Sequence, residues 1–250
     1  MINNTEALIL SCYPYGDTSV ICNLFTKDFG RVSIISKGAR KIKNQNHAIL
    51  QPLQYIDIHY YFKPKRNIQL LKEASINLHF YTIQNNYKKL IYSYNIIDIL
   101  NQICKIENPN NIIFRLSKKV LKKINNCKNN SIILYHSFFL LQLFRYLGYQ
   151  PIIDYCSECN QLLKTATYSN QTGQLICHQC STNSTYFIDL SKEELNIISA
   201  LSNTHIDKLC NIQLNKKNSL NNIHQYLLYY FSFHIVNIQK LKSINLLKQC

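Results

Sequence analysis

The first 75 residues alternate between short apolar runs and turn clusters. The apolar runs fall at residues 6–12, 18–25, 31–36, 53–61 and 68–74. In the fourth, Leu53, Tyr55, Ile56, Ile58 and Tyr60 lie among polar neighbours, close to the period of two that half-buries a strand. Between the runs stand Tyr13-Pro14-Tyr15-Gly16-Asp17, Lys27-Asp28-Phe29-Gly30 and Lys63-Pro64-Lys65-Arg66-Asn67. Gly, Pro, Asn and Asp supply the backbone conformations that turns require. Five short strands so punctuated predict a small barrel or sandwich, and a five-stranded barrel of the OB type fits the count.

From about residue 75 the period becomes helical. Tyr87, Leu90, Ile91, Tyr94, Ile97 and Leu100 recur at three- and four-residue steps along one face. Asn108-Pro109 reads as the start of a second helix, with Ile113, Leu116, Val120 and Ile124 as its apolar stripe. Residues 131–147 are apolar almost all round, which suits the central helix of a bundle, and Gly148 and Pro151 end it. That run is interrupted by His136, Gln142 and Arg145 and is shorter than the roughly 20 residues of a membrane span. Ser191 with Glu194 three residues on predicts a capping box, and residues 220–236 predict a final helix rich in Tyr and Phe.

Two cysteine pairs interrupt the helical region. Cys156-Ser157-Glu158-Cys159 is followed, after 17 residues, by Cys177-His178-Gln179-Cys180. Two thiolates three residues apart can grip one ion from a tight turn, and two such turns complete a tetrahedron. Cys156, Cys159, Cys177 and Cys180 are therefore the expected ligands of one zinc ion. Four unpaired thiols, a redox pair, or His178 replacing one sulfur are the weaker alternatives. A site closed by four sulfurs leaves no position for water or substrate, so the ion is expected to be structural. Residues 165–176 between the pairs predict a hairpin turning near residues 170–173. The other six of the ten cysteines lack partners at ligand spacing, and most are expected to act as small apolar residues in or near the core.

The formal net charge is +15, from 28 Lys and Arg against 13 Asp and Glu. Such a balance attracts polyanions, nucleic acid first and an anionic membrane surface second. Between Gly30 and Ile56 there is no carboxylate, and Arg31, Lys37, Arg40, Lys41 and Lys43 stand there. A basic loop leaving a barrel strand is where OB folds meet nucleic acid. Lys63, Lys65 and Arg66 form a second basic turn. Tyr13, Tyr15, Phe29, Tyr60, Tyr61 and Phe62 offer stacking faces, although core packing is the commoner role for such residues. A secondary basic face comprises Arg115, Lys118, Lys119, Lys122 and Lys123, opposite the apolar stripe of their helix. A solvated helix side is the bland alternative.

Nothing local points to catalysis. The carboxylates are scattered, no phosphate-binding glycine loop or HExxH occurs, and no triad stands out. Met1–Asn4 is polar, without the basic start of a secretory signal, and the many cysteines then suggest a reducing cytoplasm.

One further feature is the order of five short segments. Glu6-Ala7-Leu8-Ile9-Leu10, Tyr15-Gly16-Asp17-Thr18-Ser19, Leu24-Phe25-Thr26, Gly30-Arg31-Val32 and Lys37-Gly38-Ala39-Arg40 follow one another as in the RecO family of bacterial recombination mediators. The helical middle, the cysteine pairs after Gly148-Tyr149-Gln150-Pro151, and Leu241-Lys242-Ser243 are similar too. The resemblance implies a multidomain α+β protein. An OB-fold DNA-binding domain would occupy residues 1–76. A helical domain would occupy 77–250, with a zinc ribbon-like insertion at 152–186. It implies a non-enzyme that binds single- and double-stranded DNA and anneals complementary strands. It would act with RecR to load RecA onto strands coated by single-stranded-DNA-binding protein, whose acidic tail it would also bind. Arg31, Lys37 and Arg40 are the DNA contacts it carries over. No membrane and no small-molecule substrate are expected. The alternatives are a zinc-containing nucleic-acid-processing enzyme and a zinc-ribbon transcription regulator.

Overall fold

The five apolar runs become strands β1 (Ile2–Tyr15), β2 (Ser19–Thr26), β3 (Gly30–Ser36), β4 (Tyr55–Tyr61) and β5 (Ile68–Leu78). The structure is a computed structural model that describes residues 1–41, 44–106, 108–183, 186–212, 219–235, 241 and 243–247. The chain forms two compact units, Met1–Asn125 with Asn245–Cys250, and Asn126–Ile244.

In the first unit the strands close a barrel in the order β1-β2-β3-β5-β4. β3 and β5 meet in parallel, and the other pairs are antiparallel. Alternation sends Ala7, Ile9, Cys22, Leu24, Ile34, Ile56, Ile58, Tyr60 and Leu71 inward, with Ala39 and Leu50 from the β3–β4 connection. β1 runs well past its apolar stretch at both ends. Pairing, not hydrophobicity, sets those limits: Ile2 faces Tyr61 and Tyr15 faces Ser19. A bulge between Ile9 and Ser11 bends β1 so that one strand serves both neighbours. The β3–β4 connection also contains a short helix, α1 (Asn46–Ile49), which four residues without an apolar period cannot announce.

Three helices follow: α2 (Tyr81–Gln84), α3 (Tyr87–Ile103) and α4 (Asn111–Asn126). Asn86 caps α3 by accepting from Lys89 N. Asn110 caps α4, its Oδ1 taking the Ile113 N–H at 3.0 Å. The helix thus begins after Asn108-Pro109, because Asn110 supplies the acceptor that the first turn needs. Helix α4 covers outward-facing barrel aromatics. Phe114 meets Phe25 and Tyr55 edge-on at 5.5 and 5.6 Å, and the Tyr55 hydroxyl lies 2.9 Å from Ser117 Oγ.

In the second unit, α5 (Ile132–Leu147) is buried on nearly every side and ends at Gly148, whose φ of +81° needs glycine. Strands β6 (Ala166–Ser169), β7 (Gln174–Ile176) and β8 (Tyr186–Leu190) form a sheet in the order β7-β6-β8. The β6–β7 hairpin matches the expectation. β8 lies where sequence suggested only a lead into a helix. Helix α6 (Lys192–Asn203) carries the foreseen capping box of Ser191 and Glu194. Helix α7 (Ser219–His234) packs on the sheet, with Tyr168 edge-on to Tyr226 at 5.7 Å. Val236, the expected end of that helix, lies outside the described residues. A short α8 (Ile244–Leu247) is the last described element.

Helices α5 and α7 share a buried polar contact. His224 Nε2 lies 2.9 Å from His136 Nδ1, and both residues are buried. Burial holds His136 well below the usual imidazole range, with His224 adding to the effect, and burial brings His224 down to about 4. Both rings are thus neutral in the folded unit, one donating and the other accepting. An unfolded histidine protonates near pH 6.5, so the unfolded chain binds more protons between about 6.5 and 4. The stability from this pair is complete above that window and falls as pH drops through it. The thermal midpoint of the second unit should decrease between pH 7 and 5. His224→Gln should flatten that slope, as calorimetry across a pH series would measure. An unchanged slope would assign the acid sensitivity elsewhere.

Candidate nucleic-acid interface and metal site

The strand register sorts the two basic loops to opposite ends of the barrel. The β1–β2 turn and the end of β3 share one end. There, residues 37–41 fold back onto the turn: Arg40 N donates to Thr18 O at 2.8 Å, and Arg40 Nη1 donates to Gly16 O at 3.2 Å. Ala39 is fully buried in the barrel core and hooks the loop into place. Gly38, at φ +70°, makes the reversal, and its carbonyl accepts from Lys41 N and Asn44 Nδ2. Lys37, Arg40 and Lys41 are left exposed, at the same end as the exposed Tyr13 and Tyr15. Lys43 lies outside the described residues.

At the other end is the β4–β5 turn. Gln69 builds it: Nε2 donates to Lys63 O and Arg66 O, and Oε1 accepts from Lys63 N. Lys63, Lys65 and Arg66 then face solvent. The start of β3 reaches the same end. Gly30 has φ +67°, and a Cβ there would lie 2.6 Å from the Asn108 backbone. Arg31 is half-buried, with N donating to Lys105 O and Nη1 to Asn101 O. Part of its guanidinium therefore tethers the end of α3. Among the six aromatics singled out by sequence, Tyr13, Tyr15 and Tyr61 are exposed, Phe29 and Phe62 half-buried, and Tyr60 buried.

The basic face of α4 is divided. Arg115, Lys119 and Lys122 are exposed and Lys123 is half-buried. Lys118 instead turns to the barrel, pairs with Glu6, donates to Asn77 Oδ1 and lies 5.4 Å from the Tyr55 ring centre. Lys27 meets the other Glu6 oxygen at 3.3 Å. The hydrogen bond from Lys118 is the main cause holding the Glu6 carboxyl below its usual range. Sequence reasoning passed over Glu6, since a lone carboxylate in an apolar strand carries no local sign of a partner 112 positions away.

The four cysteines converge. Their sulfurs all lie within 4.8 Å of one another, and Cys159 Sγ is 3.7 Å from Cys177 Sγ. A zinc tetrahedron with arms of about 2.3 Å has edges of about 3.8 Å, so the set fits such an ion. Each CxxC is a tight turn: Asn160 N donates to Cys156 O, and Cys180 N to Cys177 O. Burial pushes the Cys156 thiol up. N–H groups of Cys159, Cys177 and Glu158 outweigh it and bring the thiol to about 6. The neighbouring Cys177 and Cys159 sulfurs push Cys180 upward. Four thiolates this close repel one another, and a bound cation removes that conflict. His178 is exposed and outside the cluster.

Comparison with known proteins agrees with this architecture. The sequence profile described as Recombination protein O N terminal matches residues 1–80, and that described as Recombination protein O C terminal matches residues 84–243. A DNA repair protein RecO of Chlorobium phaeobacteroides is 33% identical over 175 residues, which is 70% of this chain and 67% of the relative. One of Thermodesulfovibrio yellowstonii is 29% identical over 220 residues, 86% of each chain. One of Alkaliphilus metalliredigens is 26% identical over 216 residues, 86% of this chain and 87% of the relative. With both halves matched and the barrel, helices and cysteine cluster in place, the chain belongs to the recombination protein O family of DNA repair and recombination proteins.

Proposed function

We propose that the chain binds single- and double-stranded DNA and anneals complementary strands without a covalent step. In this reading it acts with RecR to help load RecA onto DNA coated by single-stranded-DNA-binding protein, and engages that protein's C-terminal tail. One observation carries the DNA reading. Lys37, Lys41, Lys63, Lys65 and Arg66 are exposed on the barrel loops, and none has an ion-pair partner among the described residues. Such cations displace counterions from phosphates, which gives affinity without sequence preference. Annealing requires two polyanions to meet, and a cationic surface supplies the attraction. The barrel of residues 1–76 would be the main DNA-binding domain, and the exposed part of the α4 face a second contact. RecR, RecA and the tail rest on family membership. In this reading the chain works in a reducing cytoplasm, and no disulfide joins the nine described cysteines. No described helix is long and apolar enough to cross a membrane.

The metal reading is one structural zinc ion on Cys156, Cys159, Cys177 and Cys180. Four sulfur ligands complete the coordination, which argues against a hydrolytic metal centre needing an open position.

Replacing Lys37 and Lys41 by Glu tests the DNA reading cleanly, because neither side chain has a bonding partner among the described residues. Affinity for every single strand should fall. The slope of log affinity against log salt should shrink by about 1.4, from roughly 0.7 per lost phosphate contact. Fluorescence anisotropy over a salt series measures both. Unaltered binding at low salt would remove this loop from the interface.

For the metal, the wild type should hold one equivalent of zinc, released to a chromogenic chelator after thiol modification. Cys156→Ser with Cys159→Ser should hold none and should lower the melting temperature of the second unit. Stoichiometric zinc in that variant would refute the ligand set.

A further inference from the structure

At the end carrying the β4–β5 turn, the barrel is open. A cleft of about 440 Å³ enters it, within the range of roughly 300–1,000 Å³ typical of small-molecule sites. Phe29, Tyr60 and Phe62 form its aromatic wall, and Phe29 stands perpendicular to Tyr60 at 6.1 Å. Phe29 and Phe62 are half-buried and so present ring surface to the opening. Asn3 lies at its floor, 6% exposed, and its Nδ2 donates to the Tyr60 hydroxyl at 3.2 Å. The Asn3 side-chain Oδ1 has no hydrogen-bond partner among the described residues and is open to a ligand. Arg31 and Arg66 stand on the rim beside Asp28, the one acid among the described lining residues. Asp28 Oδ2 is already taken by the Thr5 hydroxyl at 2.7 Å.

This arrangement separates two chemistries. The rim is cationic and suits a phosphate. The interior is aromatic with a few fixed polar atoms and suits a flat heterocycle with hydrogen-bonding edges. We infer that the barrel mouth receives one unstacked nucleobase of a bound single strand, stacked against Phe62 while Arg66 holds the adjoining phosphate. The inference rests on the DNA reading above and adds a base-dependent component to it. A base held out of the stack is unavailable for pairing, so the mouth would grip single strands and let go of finished duplex. Stacking on a protein aromatic contributes about 5- to 150-fold in affinity per base.

The test compares two fluorescein-labelled strands of about 12 nucleotides, within the ~4–16 that one OB fold covers. One is oligothymidylate, the other a chain of abasic tetrahydrofuran sites with the same phosphates. Wild type should bind oligothymidylate at least about tenfold more tightly. Phe62→Ala should erase most of that preference while leaving affinity for the abasic strand within twofold, which also certifies its fold. If Phe62→Ala lacks a cooperative thermal transition, Asn3→Leu carries the same test with the ring retained. Equal wild-type affinity for the two strands would overturn the base pocket and leave the phosphate-based reading standing. Full preference retained in the folded variant would also overturn it. Binding to neither strand would overturn both readings.

Discussion

The barrel closes across a short seam. β3 and β5 pair in parallel from Ser33 opposite Ile68 to Ile35 opposite Leu70. Without that pairing, two edge strands would present unpaired backbone groups to solvent. Closure also decides where everything else lies. With β5 parallel to β3, the β4–β5 turn must sit at the end where β3 begins, and residues 37–41 at the end where it finishes. The two basic loops are therefore separated by the length of β3, about 23 Å at roughly 3.3 Å per residue. A strand touching both has to run along the flank of the barrel and across its open mouth.

The segments that first suggested the family are largely the devices that make this closure work. In Leu24-Phe25-Thr26, the Thr26 hydroxyl donates to Gly30 O and accepts from Phe29 N, tying off the β2–β3 turn. Gly30 is required where the Asn108 backbone lies against it. Ala39 fills the barrel while Lys37 and Arg40, on either side of the Gly38-Ala39 pair, point away. The Thr26 turn is a local requirement and was legible in one sequence, whereas the contacts of Gly30 with Asn108 and of Ala39 with the core are made only by the fold. The five strands were legible too, through their alternation. The extent of β1 was not, because its ends are held by partners on β2 and β4, not by apolar residues of its own.

The second unit shows the same division. The cysteine pairs were readable from spacing, since each is a turn made by four consecutive residues. How their sheet is supported was not readable. Tyr168 against Tyr226, and Gly173 leaving room for the Phe233 ring, join positions about 60 residues apart. The His136–His224 contact joins two isolated histidines on apolar helices, and neither gives any local sign of the other. Sequence marked the cysteine pairs as an insertion. In the folded unit their sheet rests on the aromatic side of α7, so disturbing the cysteine cluster would strain the helical packing as well as the turns.

Net charge predicted an anionic partner without saying where it binds, and the structure sorts the cations by use. Lys118 and Lys27 are committed to Glu6. Lys89 is buried with its ammonium on Asn125 O, and Arg31 is partly engaged with Asn101 O. Lys118 and Arg31 hold α4 and α3 to the barrel, Lys89 ties α3 to α4, and Lys27 braces β1. The ones left over stand on the barrel loops and on the outer side of α4. At physiological ionic strength, charges are screened beyond about 8 Å. A lysine therefore acts on the phosphates that touch its own loop and hardly at all on those at the far end of the barrel. In the proposed reading, the path of a bound strand follows from where the exposed cations stand, and for the barrel loops that placement follows from how the barrel closes.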